Sequence, residues 1–162
     1  MFDEETKNKL SELQATIKER GLKAKILPPS SLHLTLVFLG EVPEERLIDI
    51  KPVTEKAKVS LPLVLKFHRL RYFGRSLVLE VEREKSLMDC QSAQVRFFLE
   101  RGFSFEDKRK FIPHITLFRR ADVHQAIEWP EEIDFPIVAE KEVVLQSILG
   151  GLEPDYREVF PS

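Results

Sequence analysis

Residues 30–40 read SSLHLTLVFLG, an apolar run that holds a histidine, His33, and a threonine, Thr35, near its start. The run predicts a buried β-strand ending at Gly40, and successive side chains of a strand point to opposite faces. His33 and Thr35 would therefore share one face. The other face carries the positions expected in a core: Leu32, Leu34, Leu36 and Phe38. A single histidine on a strand is more often an ordinary core or surface residue. Because buried polar side chains cost free energy unless they are satisfied, a second copy of the pattern would indicate a functional position.

The same pattern returns in residues 111–120, FIPHITLFRR, about half the chain length further on. His114 and Thr116 again share one face of a predicted strand. The recurrence predicts two similar lobes that each offer one strand to a shared cleft. The two other histidines, His68 and His124, lack a threonine two residues later, and we interpret them as surface or packing residues.

The rest of the chain alternates predicted helices and strands. The helices are expected near residues 3–21, 43–58 (ended or kinked by its proline), 85–101 and 122–128, and the further strands near 61–70, 76–82, 133–138, 140–149 and 155–160. The sequence has no glycine-rich phosphate loop, and its strands alternate in the manner of antiparallel sheets. We therefore predict an α+β fold in which residues 1–162 form one domain of two lobes.

The composition is that of a soluble globular protein, with 43% hydrophobic and 32% charged residues and a formal net charge of −2. No apolar run approaches the roughly 20 residues that span a bilayer, and the acidic start MFDEETKNK is unlike a signal peptide. The single cysteine, Cys90, rules out an internal disulfide and falls beside an apolar helical stripe, where we expect a small packed side chain. We expect a cytoplasmic monomer that does not bind membranes.

Two imidazoles and two hydroxyls facing one cleft suit a reaction at phosphorus. A neutral histidine can take a proton from attacking water, while a protonated one gives a proton to the departing oxygen. Threonine hydroxyls can donate hydrogen bonds to the phosphate oxygens, and an arginine can neutralise the charge that develops there. Arg119 is the candidate, although its odd separation from His114 requires the strand to end or twist after Leu117.

Two other interpretations remain open from the residues alone. His33 and His114 could hold a metal ion, but neither apolar stretch contains an acidic residue, so we expect no metal and no cofactor. The histidines and threonines could also hold a phosphate without catalysis, in an RNA-end-binding module. A basic cluster flanks the second motif and could meet an RNA backbone. Its members are Lys108, Arg109, Lys110, Arg119 and Arg120.

The segments HLTL (33–36) and HITL (114–117) resemble the paired H-x-T-x motifs of the two-histidine phosphoesterase superfamily. The resemblance is closest to the RNA 2′,3′-cyclic phosphodiesterases, also called the 2′–5′ RNA ligase family. LHLTLVFLGEVPEER (32–46), FIPHITLFR (111–119) and VVLQSILGG…DYREVFP (143–161) agree with that family in order and spacing. The resemblance implies a bilobal α+β fold, with two pseudo-symmetric antiparallel sheets and outer helices around a central cleft.

The resemblance also implies metal-free hydrolysis of RNA 2′,3′-cyclic phosphate ends to 2′-phosphomonoesters. It assigns His33 as proton donor and His114 as proton acceptor. Thr35 and Thr116 match the phosphate-holding positions, and Arg119 matches the arginine that follows the second motif. Substrates would be RNA ends or small cyclic nucleotides. Another cyclic nucleotide, or the joining of RNA ends by a 2′–5′ linkage, remains open within the family.

One departure from the family pattern lies at the start of the chain. Members of the family usually open with a short apolar strand, whereas only Met1 and Phe2 precede Asp3 here. Either that strand is lost or the sequence begins late, and a missing strand would leave one lobe with an exposed edge or a gap.

Overall fold

A computed structural model describes residues 1–105, 110–148 and 155–160. Its α-helices are α1 (Glu4–Glu19), α2 (Ile50–Lys56) and α3 (Lys85–Glu100), and short 3₁₀ helices cover Pro29–Ser31 and Glu44–Asp49. Its strands are β1 (Lys25–Ile26), β2 (Leu63–Leu65), β3 (Phe67–Phe73), β4 (Ser76–Val81), β5 (His114–Arg119), β6 (Ile137–Ala139), β7 (Leu145–Ile148) and β8 (Asp155–Glu158).

The strands form one four-stranded sheet, in the order β1-β5-β4-β3, and two ribbons, β2-β6 and β7-β8. Every strand pair is antiparallel. The predicted α+β class with antiparallel sheets is confirmed. The division of residues 1–162 into two lobes stays a prediction.

Helix α1 begins and ends where its sequence predicts. The side chain of Asp3 accepts a hydrogen bond from the backbone amide of Thr6 at 2.7 Å, which satisfies one free amide of the first turn. Gly21 follows the helix with φ at 97°, a conformation that only glycine adopts at little cost. The amide of Gln14, which is buried, donates to the carbonyls of Leu27 and Leu117 at 2.9 and 2.8 Å. The helix is therefore attached directly to the strand of the second motif.

The main core lies on one face of the four-stranded sheet. Its fully buried residues on β4 and β5 are Leu77, Leu79, Ile115, Leu117 and Phe118. Each buried side chain of this size stabilises the fold by about 1.5–3 kcal/mol. The opposite face of β5 carries His114 and Thr116, so the core determines which way the second motif points.

The predicted strand over residues 30–40 is wrong in most of its length. Residues 25–27 run antiparallel to β5, and the chain then leaves the sheet as the 3₁₀ helix Pro29–Ser31 because prolines cannot donate to a β-ladder. It returns at Leu34, which makes a single antiparallel bridge with Ile115. Leu32 is fully buried as predicted, but Phe38 is 77% exposed rather than in the core.

Two predicted helices also differ from the structure. The segment 43–58 divides into the 3₁₀ helix Glu44–Asp49 and α2, with Pro52 in the first turn of α2, where its missing amide costs little. Residues 122–128 do not form a helix, and only residues 122–125 make a turn, in which the amide of Gln125 donates to the carbonyl of Asp122 at 3.2 Å. The side chain of Gln125 holds this turn against the end of α1 through the carbonyl of Gly21 and the amide of Lys23.

Residues 1–3 lie along β6. Phe2, which is buried, makes an isolated antiparallel bridge with Ala139, and the backbone amide of Asp3 donates to the carbonyl of Val138 at 3.2 Å. Cys90 is buried as predicted, and burial, helped by the charge of Glu142, raises the pKa of its thiol to about 11. Across the described ranges, no helix has both the length and the apolar character needed to cross a membrane.

Candidate active site

The bridge between Leu34 and Ile115 brings the two motifs together. Because the pair is antiparallel, the residue before Leu34 lies across from the residue after Ile115. His33 therefore lies across from Thr116, and Thr35 from His114. All four side chains and that of Arg119 line one pocket of about 190 Å³. The remaining lining residues are Leu27, Ser31, Phe38 and Tyr156.

The two histidines are oriented by the same local hydrogen bond. Nδ1 of His33 lies 2.8 Å from the carbonyl oxygen of Ser31, and Nδ1 of His114 lies 2.7 Å from that of Ile112. A carbonyl oxygen can only accept, so each Nδ1 carries the proton and donates it. Each Nε2 is then left to act on a bound molecule, either as an acceptor or, when protonated, as a donor.

The surroundings of His33 disfavour its charged form. Burial lowers the pKa of His33 from its ordinary value, and the carbonyl of Ser31 offsets only part of this effect. The positive charge of Arg119 lowers it further. At neutral pH, His33 is therefore mainly neutral.

Arg119 faces the pocket because of a β-bulge. The pairing of β4 and β5 shifts between Leu77, whose partner is Phe118, and Val78, whose partner is Thr116. Leu117 is the extra residue, so the side chains of Leu117 and Phe118 both enter the core. From Phe118 onward, the alternation of side chains between the two faces of β5 is shifted by one residue. Arg119 consequently lies on the same side as Thr116, which removes the difficulty that the odd spacing from His114 raised.

Two aromatic residues flank the histidines and were missed by the sequence reasoning. The Tyr156 ring meets that of His33 edge-to-face at 4.9 Å between centroids, and the Phe73 ring meets that of His114 in the same way at 4.8 Å. The Tyr156 hydroxyl also accepts a hydrogen bond from Nη2 of Arg119 at 3.1 Å. Tyr156 stands in a segment that resembles the family, but no local motif distinguishes it from other strand tyrosines.

A buried carboxylate lies beside the second motif and was also missed. Glu80 on β4 is the ladder partner of His114. Its Oε2 lies 2.7 Å from Nε of Arg69 and 3.6 Å from Nη1 of Arg71. Burial alone would raise the pKa of Glu80, but the hydrogen bond and charge of Arg69, with the charge of Arg71, hold it below its usual range. The ionised carboxylate anchors both arginines on the sheet face that carries His114.

The predicted basic cluster is divided in the structure. Lys108 and Arg109 lie outside the described residues, while Lys110 does not line the pocket. Arg119 enters the site, and Arg120 lines a neighbouring groove.

The two remaining histidines lie apart from the site. His68 and His124 are exposed and do not line the pocket. In the part of the chain that the structure describes, no group of three or more histidine, cysteine, aspartate or glutamate side chains is arranged to hold a metal ion.

Comparison with known proteins relates this chain to one family. Residues 1–81 match the family model described as LigT like Phosphoesterase. The chain is 29% identical to a protein of Thermotoga maritima named RNA 2′,3′-cyclic phosphodiesterase, over 98% of this chain and 89% of the relative. It is 33% identical to a Thermus thermophilus protein of the same name, over 80% of this chain and 73% of the relative.

The fold is also similar to solved structures. The crystal structure of E. coli LigT complexed with 3′-AMP superposes with a TM-score of 0.77 at 20% sequence identity, covering 99% of this chain and 91% of the other. At this identity, the similarity concerns the fold.

Proposed function

The chain belongs to the LigT-like phosphoesterase family, and we propose that it hydrolyses RNA 2′,3′-cyclic phosphate ends to 2′-phosphomonoesters. The names of the relatives support this substrate class. The observation that carries the proposal is the pair of motif histidines, which line one pocket with each Nδ1 held by a backbone carbonyl. That arrangement leaves two Nε2 atoms for one acid and one base.

In the proposed reaction, Nε2 of His114 takes a proton from a water molecule as the water oxygen bonds to phosphorus. The bond between phosphorus and the 3′-oxygen breaks, and protonated His33 gives its Nε2 proton to that oxygen. The phosphate stays on the 2′-oxygen. The two histidines end with exchanged protonation states, and proton exchange with solvent restores the starting state.

The other lining residues would hold the phosphate during this step. Thr35 and Thr116 carry hydroxyls that can donate to non-bridging oxygens, and Arg119 supplies a fixed positive charge for the transition state. The hydroxyl of Tyr156 orients the Arg119 guanidinium through the bond at 3.1 Å. These roles agree with the symmetric placement of the two motifs about the bridge of Leu34 and Ile115.

The assignment of His33 as the acid requires substrate binding to supply its proton. Burial lowers the pKa of His33 in the free protein, so the neutral form prevails there. A bound phosphate diester carries a negative charge, which favours the protonated form of a nearby imidazole. Substrate binding would thus convert His33 into the acid that the reaction needs.

Phe38 supports a nucleotide as substrate. Its ring is 77% exposed and lines the pocket of the two histidines. Exposed aromatic rings beside phosphate-binding sites stack on nucleic-acid bases with little sequence preference. We propose that Phe38 stacks on the base next to the cyclic phosphate.

We further propose that catalysis is metal-free and that residues 1–162 act as one bilobal, monomeric, cytoplasmic domain. The acid, the base and the groups that donate hydrogen bonds to the phosphate would all be side chains, which need no metal. The single buried thiol of Cys90 is compatible with a reducing compartment.

The proposal is tested by incubating the protein with a nucleoside 2′,3′-cyclic phosphate and separating 2′- from 3′-phosphate products, with and without EDTA. We expect the 2′-phosphate at a rate that EDTA leaves unchanged. Loss of activity in EDTA would contradict the metal-free mechanism. Binding without product would instead indicate an RNA-end-binding module. The same assay with other cyclic nucleotides tests for a different substrate. RNA pairs with 2′,3′-cyclic and 5′-hydroxyl ends test for the joining of RNA ends.

A further inference from the structure

A second and larger concavity adjoins the candidate active site. It has a volume of about 830 Å³ and is formed by the end of α1, the β3–β4 turn and the segment after β5. We call it the basic groove, and its charged residues are Lys18, Lys23, Lys25, Arg75, Arg120 and Asp122. Five of these six side chains are cationic, although the whole chain carries a formal net charge of −2. The groove therefore carries a local excess of positive charge, which attracts polyanions.

The basic groove and the site share one edge of the sheet. Arg119 lines the site, while its ladder partner Lys25 and its chain neighbour Arg120 line the groove. Leu27, two residues after Lys25, lines the site again. Two residues of a strand span about 7 Å, so a chain of phosphates that leaves the site reaches the groove within a short step.

Backbone hydrogen bonds join the walls of the groove. The amide of Ala121 donates to the carbonyl of Arg75 and that of Asp122 to the carbonyl of Lys23, each at 2.9 Å. Nζ of Lys18 donates to the carbonyls of Leu22 and Ala24, and these bonds join the last turn of α1 to the segment that follows it. The cationic side chains are thus presented by a framework that exists before any ligand binds.

We propose that the basic groove binds the sugar–phosphate backbone of an RNA chain whose cyclic end occupies the active site. This inference rests on the proposed function and names its substrate class: oligonucleotide ends in preference to single nucleotides. Lysine and arginine contacts to phosphates add affinity without reading bases, so the preference concerns length and not sequence. Because such contacts release counterions, the advantage of long substrates falls as the salt concentration rises.

An anionic membrane surface is the other polyanion to consider. The concave form of the groove and its position beside the proposed phosphate-binding site favour a single chain that enters the site. Among its lining residues, the exposed apolar side chain is Val123, which offers little to insert into lipid. We therefore assign the basic groove to an RNA chain.

The test compares two substrates and three variants. Lys23→Glu and Arg75→Ala remove groove cations that do not line the site, and both residues are exposed. Lys85→Ala is the matched control, because Lys85 is an exposed cation on α3 that lines neither concavity. kcat/KM is measured on a cyclic mononucleotide and on a single-stranded oligonucleotide with a 2′,3′-cyclic end, between about 50 and 200 mM salt.

We expect both groove variants to lower kcat/KM on the oligonucleotide and to leave the mononucleotide rate unchanged. Each removed phosphate contact should reduce the slope of log(kcat/KM) against log[salt] by about 1. The control should match the wild type on both substrates. An equal loss of kcat/KM on both substrates, or no loss on the oligonucleotide, would contradict RNA binding in the groove. Either result would leave the proposed hydrolysis intact.

A direct binding measurement keeps the groove testable if the proposed hydrolysis fails. Fluorescence anisotropy with labelled single-stranded RNA should show weaker, less salt-dependent binding for Lys23→Glu and Arg75→Ala than for Lys85→Ala. Unchanged RNA binding in both variants would overturn the proposal. If the two groove variants weaken binding to phosphatidylserine vesicles and leave RNA binding unchanged, the groove binds a membrane surface instead.

Discussion

Leu34 and Ile115, the central residues of the two H-x-T motifs, pair with each other in an antiparallel bridge. This contact sets each histidine across from the threonine of the other motif. The arrangement is symmetric about the bridge, and each imidazole has its Nδ1 on a carbonyl two residues earlier. One pocket therefore holds two equivalent groups, and their different surroundings would make one the acid and the other the base in the proposed reaction.

Replacing either motif histidine should remove catalysis without unfolding the protein. We expect His33→Ala and His114→Ala each to lower kcat by about 10²–10⁴-fold, which is the usual contribution of a general acid or base. His68→Ala is the matched control, because His68 is exposed and does not line the pocket. Steady-state kinetics with a cyclic nucleotide and thermal melting check both points. Near-normal rates in folded variants would contradict the acid–base assignment.

The pKa of His33 should lie below the ordinary histidine value of about 6.5. Burial disfavours the imidazolium, so the unfolded chain binds this proton more readily than the folded one. The stability that neutral His33 contributes is then present above pH ~6.5 and declines as the pH falls below it. NMR titration of the His33 ring should show the low midpoint, and a nucleoside 2′-phosphate should raise it. A midpoint that the nucleotide leaves unmoved would argue against His33 as the acid.

Removing the hydroxyl of Tyr156 should weaken the hold on Arg119. Tyr156→Phe keeps the ring against His33 and deletes the acceptor at 3.1 Å from Nη2. A hydrogen bond of this kind contributes about 0.5–1.5 kcal/mol, so kcat/KM should fall roughly 2- to 10-fold. Tyr72→Phe is the control, because the buried Tyr72 hydroxyl has no hydrogen-bond partner among the described residues. That variant should keep full activity and gain stability in a denaturant titration, and equal losses in both variants would refute the role of Tyr156.

Phe38→Ser should raise KM for nucleotide substrates. Stacking of one base on an aromatic side chain contributes about 1–3 kcal/mol, which corresponds to roughly 5- to 150-fold in affinity. Because the ring is 77% exposed, the free energy of unfolding should change by no more than about 0.5 kcal/mol. Steady-state kinetics with Phe38→Tyr as the conservative variant checks this, since a tyrosine ring should restore KM. An unchanged KM in Phe38→Ser would show that the base lies elsewhere.

Several features of the fold follow from local patterns. The extent of α1, predicted near residues 3–21, depends on residues a few positions apart, and the structure has the helix over Glu4–Glu19, between Asp3 and Gly21. The core-facing positions Ile115 and Leu117 follow from the period of two in a strand.

Other features could not be predicted because they depend on distant partners. The predicted strand over 30–40 failed where residues 25–27 already occupy the edge of β5 and two prolines turn the chain away. Gln125 forms a turn, not a helix, because its side chain finds partners at Gly21 and Lys23, about a hundred residues earlier. Local periodicity carries no information about such partners.

The sequence by itself determined the chemistry of the candidate site: two histidines, two threonines and one arginine, in strand-like patterns that resemble one family. Only the tertiary structure decided how they meet. The bridge between the motifs, the bulge that turns Arg119 inward and the groove assembled from three separate segments all require contacts between residues far apart in the chain. Side-chain type and spacing are local properties, whereas bulges, registers and pockets arise from packing, and packing is settled only when the whole chain folds.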